Sequence, residues 1–346
     1  MPQLIAALVC AAMVLGAPQS ATNAQNEVHG YLTKMGLGAD DIAKLEAGGV
    51  ATRAQSARSG EVAAVAAVKI RATRERVLDF YGRMISYADG SVTIAFGRFS
   101  TPPKPEDAKD LTFDQGEIDD LKACKPGSCD IRLGGAAINA LQTSIDWNAA
   151  DAAERVNAFA RKAAADYVAA YQARGDAALV TYDDRAKPVS LQDQWRALLA
   201  GAAHLPEYAP ELKTYLEQYP RGTLAGARDI IYWSKDNFGL KPIISVIHGI
   251  VYQPPSRPDR AFVVQKQIYA SHYYDASLAV TTLLSSNEGG TPWTYLVYVN
   301  RSRGDLLRGG FGGVKRNVAQ AQARKGAEET LGNIKRWLEE PAGGGS

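Results

Sequence analysis

The chain is poor in the residues that most often carry chemistry, with three cysteines and four histidines among 346 residues. It contains no H-E-x-x-H run, which excludes the common helical zinc-protease arrangement. It has no G-x-S-x-G elbow and no glycine loop ending in Lys-Ser/Thr after a strand. The usual signatures of α/β serine hydrolases and of P-loop nucleotide enzymes are therefore missing. Excess charge is missing too, because the formal net charge is only +2. Nucleic-acid binding normally rests on a basic excess, so that partner class is not expected. Beyond the first residues no run is long and apolar enough to span a bilayer. There is no internal repeat, and low complexity is confined to the PAGGGS tail at 341–346, read as disordered.

What is present starts with a leader. MPQLIAALVCAAMVLGAPQSATNA has an apolar core from Leu4 to Leu15, then small and polar residues. It reads as a secretory signal at 1–24, cut near Ala24. The alternative is a membrane anchor, for which the run is short of the ~20 residues a spanning helix needs. Cys10 lies inside the apolar run rather than at its end, which argues against a lipoprotein. Export leaves Cys124 and Cys129, in CKPGSC. An oxidising compartment and the turn at Pro126-Gly127 favour a disulfide between them. A redox or metal pair is the alternative. However, the four intervening residues do not match redox spacing, and no second pair completes a zinc site. No cofactor and no metal is expected, and the processed protein is expected in the periplasm or outside the cell.

Residues 26–60 read as a short helical lead-in. Glu61 to Ala72 is a strand by its valine and isoleucine content, and TRERVLDFYGRM is a helix that Thr73 can cap. SVTIAFGRF (Ser91 to Phe99) is a second strand and TPPKPEDAKD a proline-rich loop. LTFDQGEIDDLKAC reads as partly helical and CDIRLGG as a short strand. From Asp151 to Gly175 the steps Val156, Phe159, Ala163, Tyr167 and Tyr171 predict an amphipathic helix. SLQDQWRALLAGAAHL and PELKTYLEQYP continue in helices, and GTLAGARDIIYWSKDNFG returns to extended structure. IISVIHGIVYQ, AFVVQKQIYASHYYDASLAVTTLL and TPWTYLVYVN are rich in β-branched and aromatic residues and read as three strands. The glycine stretch RGGFGG then opens a helix to about Glu339. This order predicts an α+β fold with a largely antiparallel sheet. One domain is expected over 25–340, with a helical insertion at about 151–228.

The strand-helix unit VAAVKIRATRERVLDFYGRM, the strands IISVIHGIVYQ and AFVVQKQIYASHYYDAS, the last strand TYLVYVNRSR and the helix from Phe311 together resemble the START-like, or helix-grip, superfamily. That superfamily includes polyketide cyclases and plant allergen-type lipid binders. The resemblance implies a curved antiparallel sheet wrapped around a long C-terminal helix, with a hydrophobic ligand between them. It covers the two ends of the processed chain and leaves 151–228 as an insertion or lid. The superfamily has no universal catalytic motif, so the resemblance assigns no catalytic residue.

Alternation within the late strands sorts their residues onto two faces. The even face carries Ile244, Val246, His248, Ile250, Tyr252, Val264, Lys266, Ile268, Ala270, His272, Tyr274, Leu278 and Val280, and it is the more apolar. The odd face, with Ser245, Gln253, Gln265, Gln267, Ser271 and Asp275, is wetter. The even face is the expected cavity wall, with His248, Lys266, His272 and Tyr274 as hydrogen-bonding handles. Alternatively, Lys266 and His248 face each other near the sheet end and are merely solvated. Trp293, Tyr295 and Tyr298 either line the pocket or pack beside it, and Trp233 and Phe238 either gate it or anchor the chain. The last helix places Val314, Val318, Ala321, Leu331, Ile334 and Leu338 at helical spacing, as core and as cavity lining. Arg301, Arg303, Arg308, Lys315 and Arg316 surround its start, where an anionic headgroup or membrane surface would bind. The alternative there is a glycine hinge with solvated charges. The resulting expectation is non-catalytic binding of a hydrophobic or amphipathic molecule such as a lipid. The rivals are an envelope scaffold without a cavity and a cyclase- or hydrolase-type enzyme using His248, His272 and Tyr274.

Overall fold

The computed structural model describes residues 18–84, 92–237, 239–304, 307 and 312–340. Most of the expected leader and the 341–346 tail lie outside them, as do Phe238 and Arg308. Helix α1 (Pro18–Lys34) runs through the expected processing point at Ala24. Among the described residues no helix is long and apolar enough to cross a membrane.

After α1 come α2 (Ala39–Glu46), β1 (Val50–Ala54) and β2 (Glu61–Ile70). Helix α3 (Arg74–Met84) leads to β3 (Thr93–Arg98), followed by α4 (Gln115–Ala123), α5 (Gly135–Ser144) and α6 (Ala152–Arg174). A small ribbon, β4 (Thr181–Tyr182) and β5 (Val189–Ser190), precedes α7 (Leu191–Gly201), α8 (Leu205–Tyr208) and α9 (Pro210–Gln218). The chain then runs through β6 (Ala227–Asp236), β7 (Ile243–Tyr252), β8 (Arg260–Ala270), β9 (Tyr274–Glu288) and β10 (Thr291–Gly304) to α10 (Gly312–Glu339). An eight-stranded antiparallel sheet has the order β1-β2-β10-β9-β8-β7-β6-β3 and is open at both edges. The fold is α+β, with a large antiparallel sheet and a C-terminal helix.

Local chemistry sets several boundaries. The Thr73 hydroxyl accepts the Arg76 N–H at 3.3 Å and caps α3, as its sequence suggested. Asp114 and Glu117 form a reciprocal capping box at α4, with bonds of 2.9 and 2.8 Å. Helix α6 stops at Gly175, whose φ is +56; a Cβ there would lie 1.9 Å from the Tyr219 carbonyl, so only glycine fits.

β2 is buried along its whole length, which explains why EVAAVAAVKI shows no polar alternation. Its Ala66, Val68 and Ile70 pack toward α10 and α3, while Val65 and Ala67 pack toward α1 and α2. The sheet thus carries a helical layer on each face. One layer is α3 and α10; the other is α1, α2 and α6 to α9.

The structure corrects three local expectations. The three closing strands are four, because the middle one breaks at 271–273, where Tyr273 takes a left-handed φ of 61 and the chain reverses. CDIRLGG is not a sheet strand. Its backbone pairs instead with loops: Arg132 N–H donates to Ser271 O at 2.8 Å and Asp183 N–H to Leu133 O at 2.8 Å. The periodic apolar positions of α10 are not all core: Leu331, Ile334 and Leu338 are buried, whereas Val318 is 57% exposed. Val318 is therefore not core, and it does not border the space between α10 and the sheet.

Candidate functional site

A space of about 470 Å³ lies between the sheet and α10, bordered on the helix by Ala323, Gly326, Ala327, Thr330, Leu331 and Ile334. Its apolar lining includes Ala66 on the sheet and Ala327, Leu331 and Ile334 on α10. The sheet also contributes the polar side chains of Ser245, Gln265, Gln267, Ser277, Asn300 and Ser302. Cross-strand bonds hold this polar floor in place. Ser277 and Ser302 hydroxyls meet at 2.9 Å, and Ser302 donates to Asn300 Oδ1 at 2.9 Å. Gln267 Nε2 donates to Ser245 Oγ at 3.1 Å, and Gln265 Nε2 to Tyr232 Oη at 2.8 Å. Gln267 Oε1 is buried with no partner. Tyr81, Tyr274 and Tyr298 complete the wall. Burial raises all three phenols, Tyr81 to about 12, so each remains a neutral donor. Among the described lining residues Asp236 is the one charged side chain, and it already accepts from Thr93 and Ser234 at 2.7 and 2.6 Å.

The residues chosen from sequence are distributed through the fold rather than gathered in this space. Tyr274 lines it. The even residues of β7 and the early even residues of β8 share a face as expected, but that face is covered by the middle helices. Ile250 and Tyr252 pack against α7 to α9, and Val246 and Ile268 pack beside α6. The faces are thus exchanged relative to the expectation: the wetter odd face looks toward α10. A β-bulge between Val246 and Ile247 also shifts the pairing, so that Val246 faces Tyr269 while His248 faces Lys266. This breaks strict parity along β8, and His272 falls in the turn that follows.

Beneath the middle helices His248 and Lys266 are buried and each has its own polar partners. His248 Nε2 donates to Asp229 at 2.8 Å, and Nδ1 accepts from the Tyr171 hydroxyl at 2.9 Å. The Tyr215 hydroxyl donates to the other Asp229 oxygen at 2.7 Å. Burial holds His248 below its ordinary pKa despite Asp229, so the imidazole is neutral and both nitrogens are used. Lys266 pairs with Asp176, and its Nζ lies 4.1 Å from the Trp195 ring centroid. Burial lowers this lysine to about 8. Neither His248 nor Lys266 borders the space under α10.

The remaining choices are engaged elsewhere. Arg301 and Arg303 both reach the fully buried Glu61, at 2.6 and 3.5 Å. Tyr295 donates to Glu46 at 2.6 Å among α1 and α2, and Trp293 lies 4.8 Å from Lys69 Nζ. Cys124 and Cys129 form a disulfide across the turn after α4. Among the described residues no cluster of His, Cys, Asp or Glu is arranged to hold a metal. Sequence reasoning missed Gln265, Gln267, Asn300 and Ser302. Their signal was a run of amides and hydroxyls recurring at alternate positions on neighbouring strands. No protein-family model matches the chain, and no curated protein matches it.

Proposed function

We propose that this chain binds a small amphipathic molecule, with an apolar part and a neutral hydrogen-bonding head, in the space between α10 and the sheet. The observation that carries the reading is the mixed lining, in which apolar Ala66, Leu331 and Ile334 border the same space as the amides and hydroxyls of Gln265, Gln267, Ser277, Asn300 and Ser302. A volume of about 470 Å³ suits a small-molecule site of a few hundred Å³ with a few placed polar groups. Gln267 Oε1 would accept a donor from the head, relieving a buried unpaired acceptor. The Asp236 carboxylate disfavours an anionic head, and Arg301 and Arg303 are already committed to Glu61. Binding is non-covalent, driven by apolar surface withdrawn from water at about 25 cal/mol per Å². The same reading includes a curved, helix-gripping sheet of START-like kind and export to the periplasm or beyond. The antiparallel sheet, the terminal helix and the disulfide support it.

Protein purified from the cell envelope and extracted with organic solvent should release a neutral amphiphile detectable by mass spectrometry. Gly326→Leu should arrive empty, since a Cβ at Gly326 meets nothing within 4 Å and the larger side chain occupies the space. Removing a mid-helix glycine also favours α10. No released molecule, or equal release from Gly326→Leu, refutes the reading.

A further inference from the structure

On the opposite face of the sheet lies a second space, of about 160 Å³, walled by α4, α5, α6 and the strands beneath them. Val246 belongs to it, whereas its neighbour Ser245 belongs to the space under α10, so the sheet itself separates the two. Among the described residues no charged side chain lines it. Its three polar-tipped aromatics have their polar atoms committed within the protein. Trp233 Nε1 donates to Asp107 O at 3.0 Å, Tyr167 Oη to Ile268 O at 2.5 Å, and Tyr269 Oη to Arg132 O at 2.9 Å. A guest would therefore find apolar contact and no hydrogen-bonding partner from these three. Phe113, Leu133 and Phe159 on the wall are only half-buried, so the space is reachable from solvent.

We infer that this cleft is a second binding site, dry and selective for an uncharged hydrocarbon guest about the size of one benzene ring. An apolar cavity of roughly 150 Å³ stays free of water and takes up benzene, and water gains nothing where no polar group is free to hold it. A hydroxyl on the guest would be buried unpaired, which costs enough to weaken binding at least about tenfold.

The test is equilibrium uptake of labelled benzene and labelled phenol by the full chain. Saturable benzene uptake, with phenol at least about tenfold weaker, is expected. Ala163→Leu from α6 and Ala137→Leu from α5 should each abolish it by filling the cleft, with near-ultraviolet circular dichroism confirming the fold. Absence of saturable benzene uptake overturns the inference, as does equal affinity for phenol. Uptake that survives both alanine variants but disappears in Gly326→Leu also overturns it, because the guest then sits under α10.

Discussion

Replacing Lys266 with methionine should flatten the rise of stability with pH between about pH 7.5 and about pH 9.5. Lys266 is 1% exposed, paired with Asp176 and covered by the Trp195 ring. Burial brings it from its ordinary 10.5 down to about 8, with Asp176 opposing the shift. The unfolded chain therefore keeps this proton until about pH 10.4, whereas the folded chain releases it from about pH 8. Between those values the unfolded state binds more protons, so stability rises with pH. Two pH units inside the window contribute about 2 kcal/mol to the wild type. The buried phenols Tyr171 and Tyr269, both raised by burial, act in the opposite sense as pH approaches their unfolded value of about 10. The comparison therefore stops short of that value and is read as a difference between the two proteins. Methionine keeps the length of the apolar stem while removing the titrating group. Urea unfolding followed by tryptophan fluorescence across the window gives the two profiles. Parallel profiles would show that water reaches the ammonium, and the closed packing of α6 and α7 over β8 would be refuted.

Glu61→Ala should cost about 3–5 kcal/mol in urea unfolding, because it strands two guanidinium groups that now share a buried carboxylate. Ile334→Ala should lose about 2–5 kcal/mol in the same assay, since this side chain is 3% exposed where α10 docks; a loss under about 1 kcal/mol would mean that α10 is not seated there. Converting Cys124 and Cys129 together to serine should cost about 2 kcal/mol, the modest value for a short closed loop. A midpoint unchanged by reductant in the wild type would contradict it.

Elements with a strong period were legible from the residues alone. The alanine-rich α6 needed only Val156, Phe159, Ala163, Tyr167 and Tyr171 at steps of three and four, and it forms over Ala152–Arg174. Helix α10 was legible in extent but not in how much of it docks. Val318 and Leu331 are equally apolar in sequence, and only the sheet beneath decides which is buried. The break at 271–273 was hidden because SHYY carries neither glycine nor proline, and the turn is made instead by a left-handed tyrosine. Helix α5 was missed because its buried spacing is short, with Ile138 and Leu141 as its two anchors. CDIRLGG did alternate, but a strand also needs a free ladder, and its donors and acceptors were already taken by loops.

The site resisted reading for a related reason. Alternation tells which residues share a face, but not which layer covers that face. The even residues of β7 were correctly grouped, and their apolarity suggested a cavity. With helices on both faces of the sheet, the more apolar face packs more closely: four middle helices cover it and leave a cleft of about 160 Å³, smaller than the space beside α10. His248 and Lys266 interrupt it because each finds partners inside that packing, Asp229 with Tyr171 for one and Asp176 for the other. The odd face carries Gln265, Gln267, Ser277 and Asn300, short or hydrated groups that a helix cannot cover at full contact without stranding their polar atoms. Helix α10 accordingly packs on Ala66 and Val68 through Leu331, Ile334 and Leu338, and the amides face an open space instead. A guest with a polar head needs surface that the protein's own packing leaves unfilled, and of the two proposed sites the larger borders the polar face.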